Sequence, residues 1–387
     1  GAGFSAAIMP LVASAEAQGD QLRVRRVTRM GFWLSALYGL VVLPAFWWSS
    51  PLLQAFGQQL SLAEEVQRYL RIAGFAIVPA LLMMVVKSYL AALEKTQVVL
   101  WITVGGVGLN AVLNYALIFG HWGAPAMGIQ GAAVASLLVN LGLFFGVVFY
   151  ASKTSAEHAL FHRLWRLDWD VFGAVARMGV PVGLTSLAES GLFAASTIMM
   201  GWLGTVPLAA HGIAIQLTAA TFMIHLGLSN AATIRAGNAL GRRDEGHLRR
   251  GAWAVTAVAM AVVAVTIYAF LAHPHTLIGL FLDVNDGDRD LILQTGATLL
   301  AVAALFQLVD SVQAMALGLL RGVHDAGAPM VIAGVSYWMI GIPAAYYMGF
   351  VLQWQGVGVW MGLVVGLAVA AGLLMARFWI WSCKIEL

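Results

Sequence analysis

Two carboxylates lie deep inside long apolar stretches, where ionisable side chains are rare. Glu189 occurs in the stretch GVPVGLTSLAESG (179–191), and Asp310 occurs in LFQLVDSVQ (305–313). A carboxylate at the middle of a bilayer costs about 2.5–3.5 kcal/mol on insertion scales unless it faces protein or water. We therefore predict that both residues serve an ion or proton site. The structural alternative is a neutral carboxylic acid that joins two helices by hydrogen bonds.

Both carboxylates have polar neighbours at helical spacing. Ser186 precedes Glu189 by three residues, and Gln307 and Gln313 flank Asp310 at the same spacing. Residues three or four apart share one face of a helix, so each helix carries a polar stripe. Oxygen ligands of this kind suit a hard cation such as Na⁺, whereas a carboxylate that can be neutralised suits a proton. The stripes predict a site for Na⁺ or H⁺ at Glu189 and Asp310, with Ser186 and Gln307 in support.

Other polar residues inside apolar stretches allow two interpretations each. Asn110 and Asn114 are four residues apart and share a face, where they could support a transport site or join helices by hydrogen bonds. Lys87 lies near enough to the end of its stretch for its ammonium group to reach the interface, an interpretation that we prefer to a role inside a cavity. His211 and His225 have no metal ligand four residues away, which argues against zinc.

The elements that position these residues are membrane helices. The chain of 387 residues is 61% hydrophobic and 10% charged, whereas soluble domains are about 25% charged. The apolar runs are continuous rather than alternating, which excludes a β-barrel. A partial helix covers 1–15, and ten runs of spanning length follow, near 30–56, 69–93, 98–120, 128–151, 171–203, 207–234, 251–272, 291–320, 330–352 and 356–381. The predicted fold is an all-α polytopic membrane protein.

The basic residues indicate its orientation. If the loops alternate sides, 17 of the 21 Lys and Arg residues lie on one side, which includes the loop 16–29 and the C-terminus. Lys and Arg are retained in the cytoplasm, so we expect that side to be cytoplasmic. The basic residues form short clusters between apolar runs and indicate topology rather than nucleic-acid binding. An even number of spans would require one more helix before the partial one.

The chain also repeats itself. At an offset of 224 positions, Asp20, Arg25 and Arg26 match Asp244, Arg249 and Arg250, along with several small residues. This repeat predicts two six-helix lobes related by a pseudo-two-fold axis normal to the membrane, with the first helix and the start of the second absent from this chain. We assign residues 1–151 to an N-terminal lobe, 152–170 to a cytoplasmic linker and 171–387 to a C-terminal lobe. Repeated lobes are typical of transporters.

Several of these stretches resemble the multidrug and toxic compound extrusion (MATE) transporter family. LAAHGIAIQL (208–217) and GLSNAATIRAGNALG (227–241) resemble its eighth helix, and Glu189, Asp310 and the Asn110–Asn114 pair lie in stretches that resemble its seventh, tenth and fifth helices. The resemblance is to the NorM-like branch. It implies a Na⁺- or H⁺-coupled antiporter that exports lipophilic cationic drugs by alternating access. Some relatives place a tyrosine where this chain has Phe306.

The resemblance further implies a monomer in the bacterial inner membrane. Its partners would be small cationic drugs and the lipid bilayer, with no nucleic acid and no cofactor beyond the transported Na⁺ or H⁺. The main alternative is a flippase for lipid-linked polysaccharide or lipid, although such proteins are expected to have strongly basic cavities. An enzyme is disfavoured, because the sequence has no P-loop motif and no nucleophile and base pair within the apolar stretches.

Overall fold

The computed structural model describes residues 1–55, 57, 59–154, 158–161, 163–283 and 287–384, and these residues contain helices and connections but no strand. Ten helical segments within these described ranges are long and apolar enough to cross a membrane, which confirms the predicted number. The helices are α1 (Ala2–Ala17), α2 (Gln21–Trp47), α3 (Ser49–Ala55), α4 (Leu60–Ala92), α5 (Thr96–Phe119), α6 (Ile129–Thr154), α7 (Trp169–Leu203), α8 (Thr205–Arg242), α9 (Glu245–Ala272), α10 (Pro274–Gly279), α11 (Arg289–Gly322), α12 (Gly327–Gly334), α13 (Ile342–Tyr346) and α14 (Gln355–Arg377).

The predicted loop 16–29 is mostly helical, and that expectation was wrong. Helix α2 begins at Gln21 because Asp20 caps it: the Asp20 carboxylate accepts a hydrogen bond of 2.9 Å from the backbone N–H of Arg23. Such a cap satisfies one of the free N–H groups in the first turn. Hydropathy alone ends an apolar run at the first arginines, yet arginine is a good helix former. The basic residues of 23–29 therefore lie on the first turns of α2.

The same connection occurs twice. The N–H of Asp20 bonds to the carbonyl of Ala15 at 3.0 Å, and the N–H of Asp244 bonds to the carbonyl of Ala239 at 3.0 Å. Asp244 also caps α9, through a bond of 2.8 Å from the N–H of His247. The α1–α2 and α8–α9 connections thus have one local geometry at the offset of 224 residues that the sequence repeat predicts.

The predicted helix 330–352 is a single span but not one regular helix. Two π-helical segments, Val335–Gly341 and Tyr347–Val351, flank α13, which has Pro343 in its first turn. Proline cannot donate a backbone hydrogen bond and its ring clashes with the preceding turn. A widened turn accommodates both effects.

The chain divides into two compact units, Gly1–Val180 and Pro181–Leu387, and the division falls inside α7. In the first unit, α4 packs against α1, α2 and α6, and α5 packs against α6. In the second unit, α11 packs against α8, α9 and α14. Helix α11 has buried residues on every turn from Ala303 to Gly322, so it forms the centre of the second unit.

Helices α8 and α11 approach each other closely at Gly318. A Cβ atom on Gly318 would lie 2.5 Å from the carbonyl oxygen of Ser229. Two hydroxyls join the helices there, because Ser229 donates to the carbonyl of Ala314 at 2.6 Å and Thr233 donates to the carbonyl of Gly318 at 2.8 Å. Small residues permit such contacts where lipid supplies no hydrophobic drive between helices. This packing holds the polar part of α11 against α8.

Candidate functional site

A cavity of about 320 Å³ lies among α7, α8 and α11 in the second unit. It brings together the two carboxylates that the sequence singled out, Glu189 from α7 and Asp310 from α11. The rest of the lining is mainly apolar or aromatic: Ser190, Phe193, Ile215, Thr218, Ala219, Phe222 and Phe306. The cavity is therefore mainly apolar, with two acidic groups in its wall.

Asp310 is 3% exposed, and its Oδ1 atom has no hydrogen-bond partner among the described residues. Buried carboxylate oxygens in proteins almost always have partners. An unpartnered one facing a cavity is available to a proton or a cation. Glu189 is partly buried on the facing helix and completes an acidic pair on the same cavity.

Gln307 lies one turn before Asp310 and is completely buried. Its amide nitrogen donates to the carbonyl of Thr218 at 2.9 Å and also to the hydroxyl of Thr221, both on α8. Because the nitrogen is committed to α8, the Gln307 Oε1 atom is left without a partner among the described residues. Gln307, which the sequence predicts to support the site, thus links α11 to α8 by hydrogen bonds. Its Oε1 atom is a second acceptor without a partner among the described residues, three positions before Asp310.

Two further buried groups extend the polar face of α11, and sequence reasoning missed them. The hydroxyl of Tyr337 accepts a hydrogen bond from the amide nitrogen of Gln313, and the hydroxyl of Ser311 lies 3.2 Å from Nδ1 of His225. Tyr337 has no polar neighbour at helical spacing that would have marked it, whereas His225 has Thr221 and Ser229 four residues away on either side and was considered above only as a metal ligand. Their roles depend on which helices pack against α11.

An aromatic cluster forms the wall next to the carboxylates. The ring of Phe306 is edge-on to those of Phe193, at 5.9 Å, and Trp360, at 5.6 Å. Trp360 in turn donates to Nδ1 of His211 at 3.1 Å. His211 is thereby a hydrogen-bonded core residue, and Phe306 contributes a ring without a hydroxyl to the wall of the cavity.

Three predicted supporting residues lie elsewhere. Ser186 is exposed, does not line the cavity, and donates to the carbonyl of Val182 at 3.2 Å. Asn110 and Asn114 lie on α5 in the first unit, where the Asn114 amide nitrogen donates to Oδ1 of Asn110 at 2.9 Å. Their shared face is as predicted, and each amide partners the other.

Asp310 and its neighbours on α11 carry buried oxygen atoms without hydrogen-bond partners among the described residues. Within the described residues, no group of three His, Cys, Asp or Glu side chains could hold a metal ion. The carboxylate of Asp310 and the free carbonyl oxygens of Gln307 and Gln313 are the hard ligands that Na⁺ favours.

A second cavity, of about 450 Å³, lies in the first unit. Its charged lining consists of Arg25, Arg26, Arg29, Arg163, Arg166 and Asp168. In the sequence these arginines belong to separate clusters, which were interpreted only as indicators of membrane topology. Folding of the 163–168 segment onto the start of α2 is what gathers them.

Comparison with known proteins identifies the family. The MatE family model matches residues 1–116 and 181–347, which include both carboxylates and both asparagines. The chain belongs to the MatE family. Two curated relatives are each called "Probable multidrug resistance protein NorM". The one from Rhizobium meliloti is 44% identical over 98% of this chain and 81% of its own length, and the one from Agrobacterium fabrum is 43% identical over 98% and 82%.

Solved MatE-like structures share the fold. The eukaryotic MATE transporter AtDTX14 aligns with a TM-score of 0.85 at 18% identity, over 98% of this chain and 83% of its own. A MOP superfamily transporter from Pyrococcus furiosus aligns with a TM-score of 0.85 at 21% identity, over 100% and 85%. Its description states that reverse polarity of the binding pocket suggests a different function. These findings confirm the resemblance and the all-helical fold of a multi-pass membrane protein.

Proposed function

We propose that this MatE protein is a multidrug efflux transporter that exports lipophilic cations in exchange for Na⁺ or H⁺. The observation that carries the proposal is the cavity of the second unit, where Glu189 and Asp310 share an apolar and aromatic space. The names of the NorM relatives, which are multidrug resistance proteins, agree with it. The protein acts as a transporter rather than as an enzyme, as a monomer in the bacterial inner membrane with a cytoplasmic C-terminus.

The cavity can select cations without demanding one shape. Its carboxylates attract positive charge, and the faces of Phe193, Phe222 and Phe306 offer cation–π contacts of about 0.5–2 kcal/mol each. The apolar part of the wall adds a burial energy that grows with contact area and does not depend on one particular drug shape. Specificity then rests on charge and lipophilicity.

Exchange follows from competition for the same carboxylates. A proton or Na⁺ that neutralises Asp310 or Glu189 removes the charge that holds a cationic drug, so ion binding weakens drug binding. By thermodynamic linkage, the drug weakens ion binding by the same factor. Alternating access then converts ion entry into drug export.

A lipid flippase is the second candidate, and the arginine cavity of the first unit favours it. The two cavities differ in where they lie along the helices, however. Asp310 and Glu189 lie near the middle of α11 and α7, whereas Arg25, Arg26 and Arg29 lie on the first turns of α2. A cargo that crosses the membrane must pass the mid-helix region, so the acidic cavity governs the choice of cargo.

The test is transport by the reconstituted protein. Ethidium movement is measured in proteoliposomes under an imposed Na⁺ gradient and, separately, an imposed pH gradient, for the wild type, Glu189→Gln and Asp310→Asn. Both substitutions keep the size of the side chain and remove the charge. Ser190→Ala is the matched control, because Ser190 lines the same cavity without a carboxylate.

We expect each neutral variant to lose gradient-driven ethidium transport while Ser190→Ala retains it. The gradient that drives the wild type identifies the coupling ion. Undiminished transport by both carboxylate variants would refute the coupling site. Movement of an anionic, phosphate-bearing lipid in place of ethidium would establish the flippase.

A further inference from the structure

The arginine cavity of the first unit has a strong excess of positive charge. Five guanidinium groups line it, against the single carboxylate of Asp168. That carboxylate is committed to Arg26, with which it forms a hydrogen bond and an ion pair. The other four arginines form no ion pair with it, although Asp168 and Arg29 also attract each other through their charges.

Arg29 shows that this charge is not merely a solvated surface. It is only 6% exposed, and its Nε atom has no hydrogen-bond partner among the described residues. Its one described hydrogen bond runs from a terminal nitrogen to the carbonyl of Arg163, at 3.4 Å. A buried guanidinium with so few partners is costly unless an anion compensates it.

We propose that this cavity binds the phosphate group of an anionic phospholipid. Arginine forks match phosphate oxygens in bidentate geometry, and several arginines around one space suit a phosphodiester. Arg29 forms the buried floor of the site, and Arg25, Arg163 and Arg166 are partly or fully exposed around it. The phosphate supplies the partner that Arg29 Nε lacks.

The surroundings of the cavity favour a lipid over free phosphate. Leu22, which lines the cavity, is 53% exposed, so the entrance carries an apolar surface. Trp165 lies between Arg163 and Arg166, Trp169 follows Asp168, and both are strongly exposed. Trp33 donates a hydrogen bond of 2.8 Å from its indole nitrogen to the carbonyl of Leu164. Tryptophan is enriched at the membrane–water interface, which is the depth of lipid phosphates. An acyl chain would lie against such residues while the headgroup enters the cavity.

Retention of basic residues in the cytoplasm does not account for this arrangement. It explains why the arginines lie on one side of the membrane, but not why they converge or why Arg29 is buried. The repeated connection in the second unit provides the contrast. There Arg249 bonds to Glu245 of its own helix at 2.7 Å and is 47% exposed, and Trp253 takes the position that matches Arg29.

The test uses the purified protein in detergent with defined lipids. Native mass spectrometry counts bound palmitoyl-oleoyl-phosphatidylglycerol and palmitoyl-oleoyl-phosphatidylcholine in competition, and thermal unfolding is measured with each lipid and with inorganic phosphate. The variants are Arg29→Gln, Arg166→Gln and the control Arg249→Gln. Arg166 is exposed, so its replacement tests the site even if Arg29→Gln does not fold.

We expect the wild type to prefer phosphatidylglycerol. Arg29→Gln should weaken phosphatidylglycerol binding about tenfold, as for loss of one charge-assisted hydrogen bond, and Arg166→Gln about fivefold. Arg249→Gln should bind as the wild type does. Equal binding of the two lipids, equal losses in Arg166→Gln and Arg249→Gln, or equal thermal protection by inorganic phosphate would each overturn the proposal.

Discussion

The two units of this chain contain cavities of opposite charge. The cavity of the first unit is lined by five arginines near the start of α2, and that of the second by two carboxylates near the middle of α7 and α11. The acidic cavity is built from residues on membrane helices, whereas the arginine cavity combines the start of α2 with the 163–168 connection, so one charge set lies at mid-helix and the other at a helix end. Charge at a helix end can meet lipid headgroups and water, whereas charge at mid-helix must be compensated by the protein or by cargo.

The repeated connection shows how similar sequences come to serve different purposes. Asp20 and Asp244 cap α2 and α9 with the same hydrogen bonds, and each cap precedes an Arg-Arg pair. In the first unit Arg26 pairs with Asp168, 142 residues away, whereas in the second unit Arg249, which matches Arg25, pairs with Glu245 one turn earlier on α9. The local sequence therefore determines the geometry of each connection. In the first unit a distant segment, 163–168, also packs against the connection and forms a cavity with it.

Reversing the charge of the second cavity should have the largest effect. Glu189→Lys places a cation where a cationic drug is proposed to bind, and like charges at close range cost several kcal/mol. We expect ethidium efflux to fall by about 100-fold or more. Efflux is measured in an efflux-deficient bacterium, with protein levels checked by immunoblot and Arg249→Gln as a control. Efflux at the wild-type level in Glu189→Lys would show that the acidic cavity does not receive the cargo.

Closing the space between α8 and α11 should have the next largest effect. In Gly318→Ala the new Cβ would lie 2.5 Å from the carbonyl oxygen of Ser229, so the helices must separate. Overpacking of this kind costs about 1–3 kcal/mol of unfolding free energy. Gly227→Ala on α8 is the control, because no atom lies within 4 Å of its Cβ position. Unfolding by titration with dodecyl sulfate measures both, and equal stability of the two variants would contradict the close packing.

The two caps should contribute equally. Asp20→Ala and Asp244→Ala each remove one side-chain acceptor from a backbone N–H in the first turn, which typically costs about 1 kcal/mol. The thermal unfolding temperatures of the two variants should fall together. A fall in the unfolding temperature of only one variant would show that the two caps, although alike in geometry, do not contribute equally to stability.

The smallest effect concerns the ion pair across the first cavity. Burial by itself favours the neutral acid, but the hydrogen bonds from Arg26 and from the Val171 N–H and the nearby positive charge lower the pKa of the Asp168 carboxyl below its ordinary value. Asp168→Asn should cost about 0.5–1 kcal/mol at neutral pH, since Arg26 is partly exposed to solvent. The more exposed pair is the control, and Glu245→Gln should cost less.

The pH dependence of that effect follows from the lowered pKa. The stability from ionised Asp168 is complete above the unfolded-state pKa, near ~3.9, and is lost as pH falls through the lower folded-state pKa. The difference in stability between the wild type and Asp168→Asn should therefore be constant near neutral pH and shrink in strong acid. A difference that grows as pH falls would contradict the pairing.

The number of membrane-spanning helices could be predicted from the sequence, because each span must satisfy its own backbone hydrogen bonds in lipid and so must be a long, continuous apolar run. The two carboxylates could be singled out in the same way, since a carboxylate such as Asp310 in such a run is costly, and the structure places both on one cavity. The repeat at Asp20 and Asp244 was visible for a similar reason: a cap depends on residues only three positions apart.

What could not be read depends on contacts between residues far apart in the chain. The partners of Gln307 on α8, the bond between Gln313 and Tyr337, and the gathering of Arg29 with Arg163 arise only when helices and connections pack. For the same reason the sequence could not show that Ser186 lies outside the cavity, although it is one turn from Glu189. Helical spacing states which residues share a face, but the face that meets a neighbour is chosen by packing among all the helices, and that choice separates a cavity from a lipid-exposed surface.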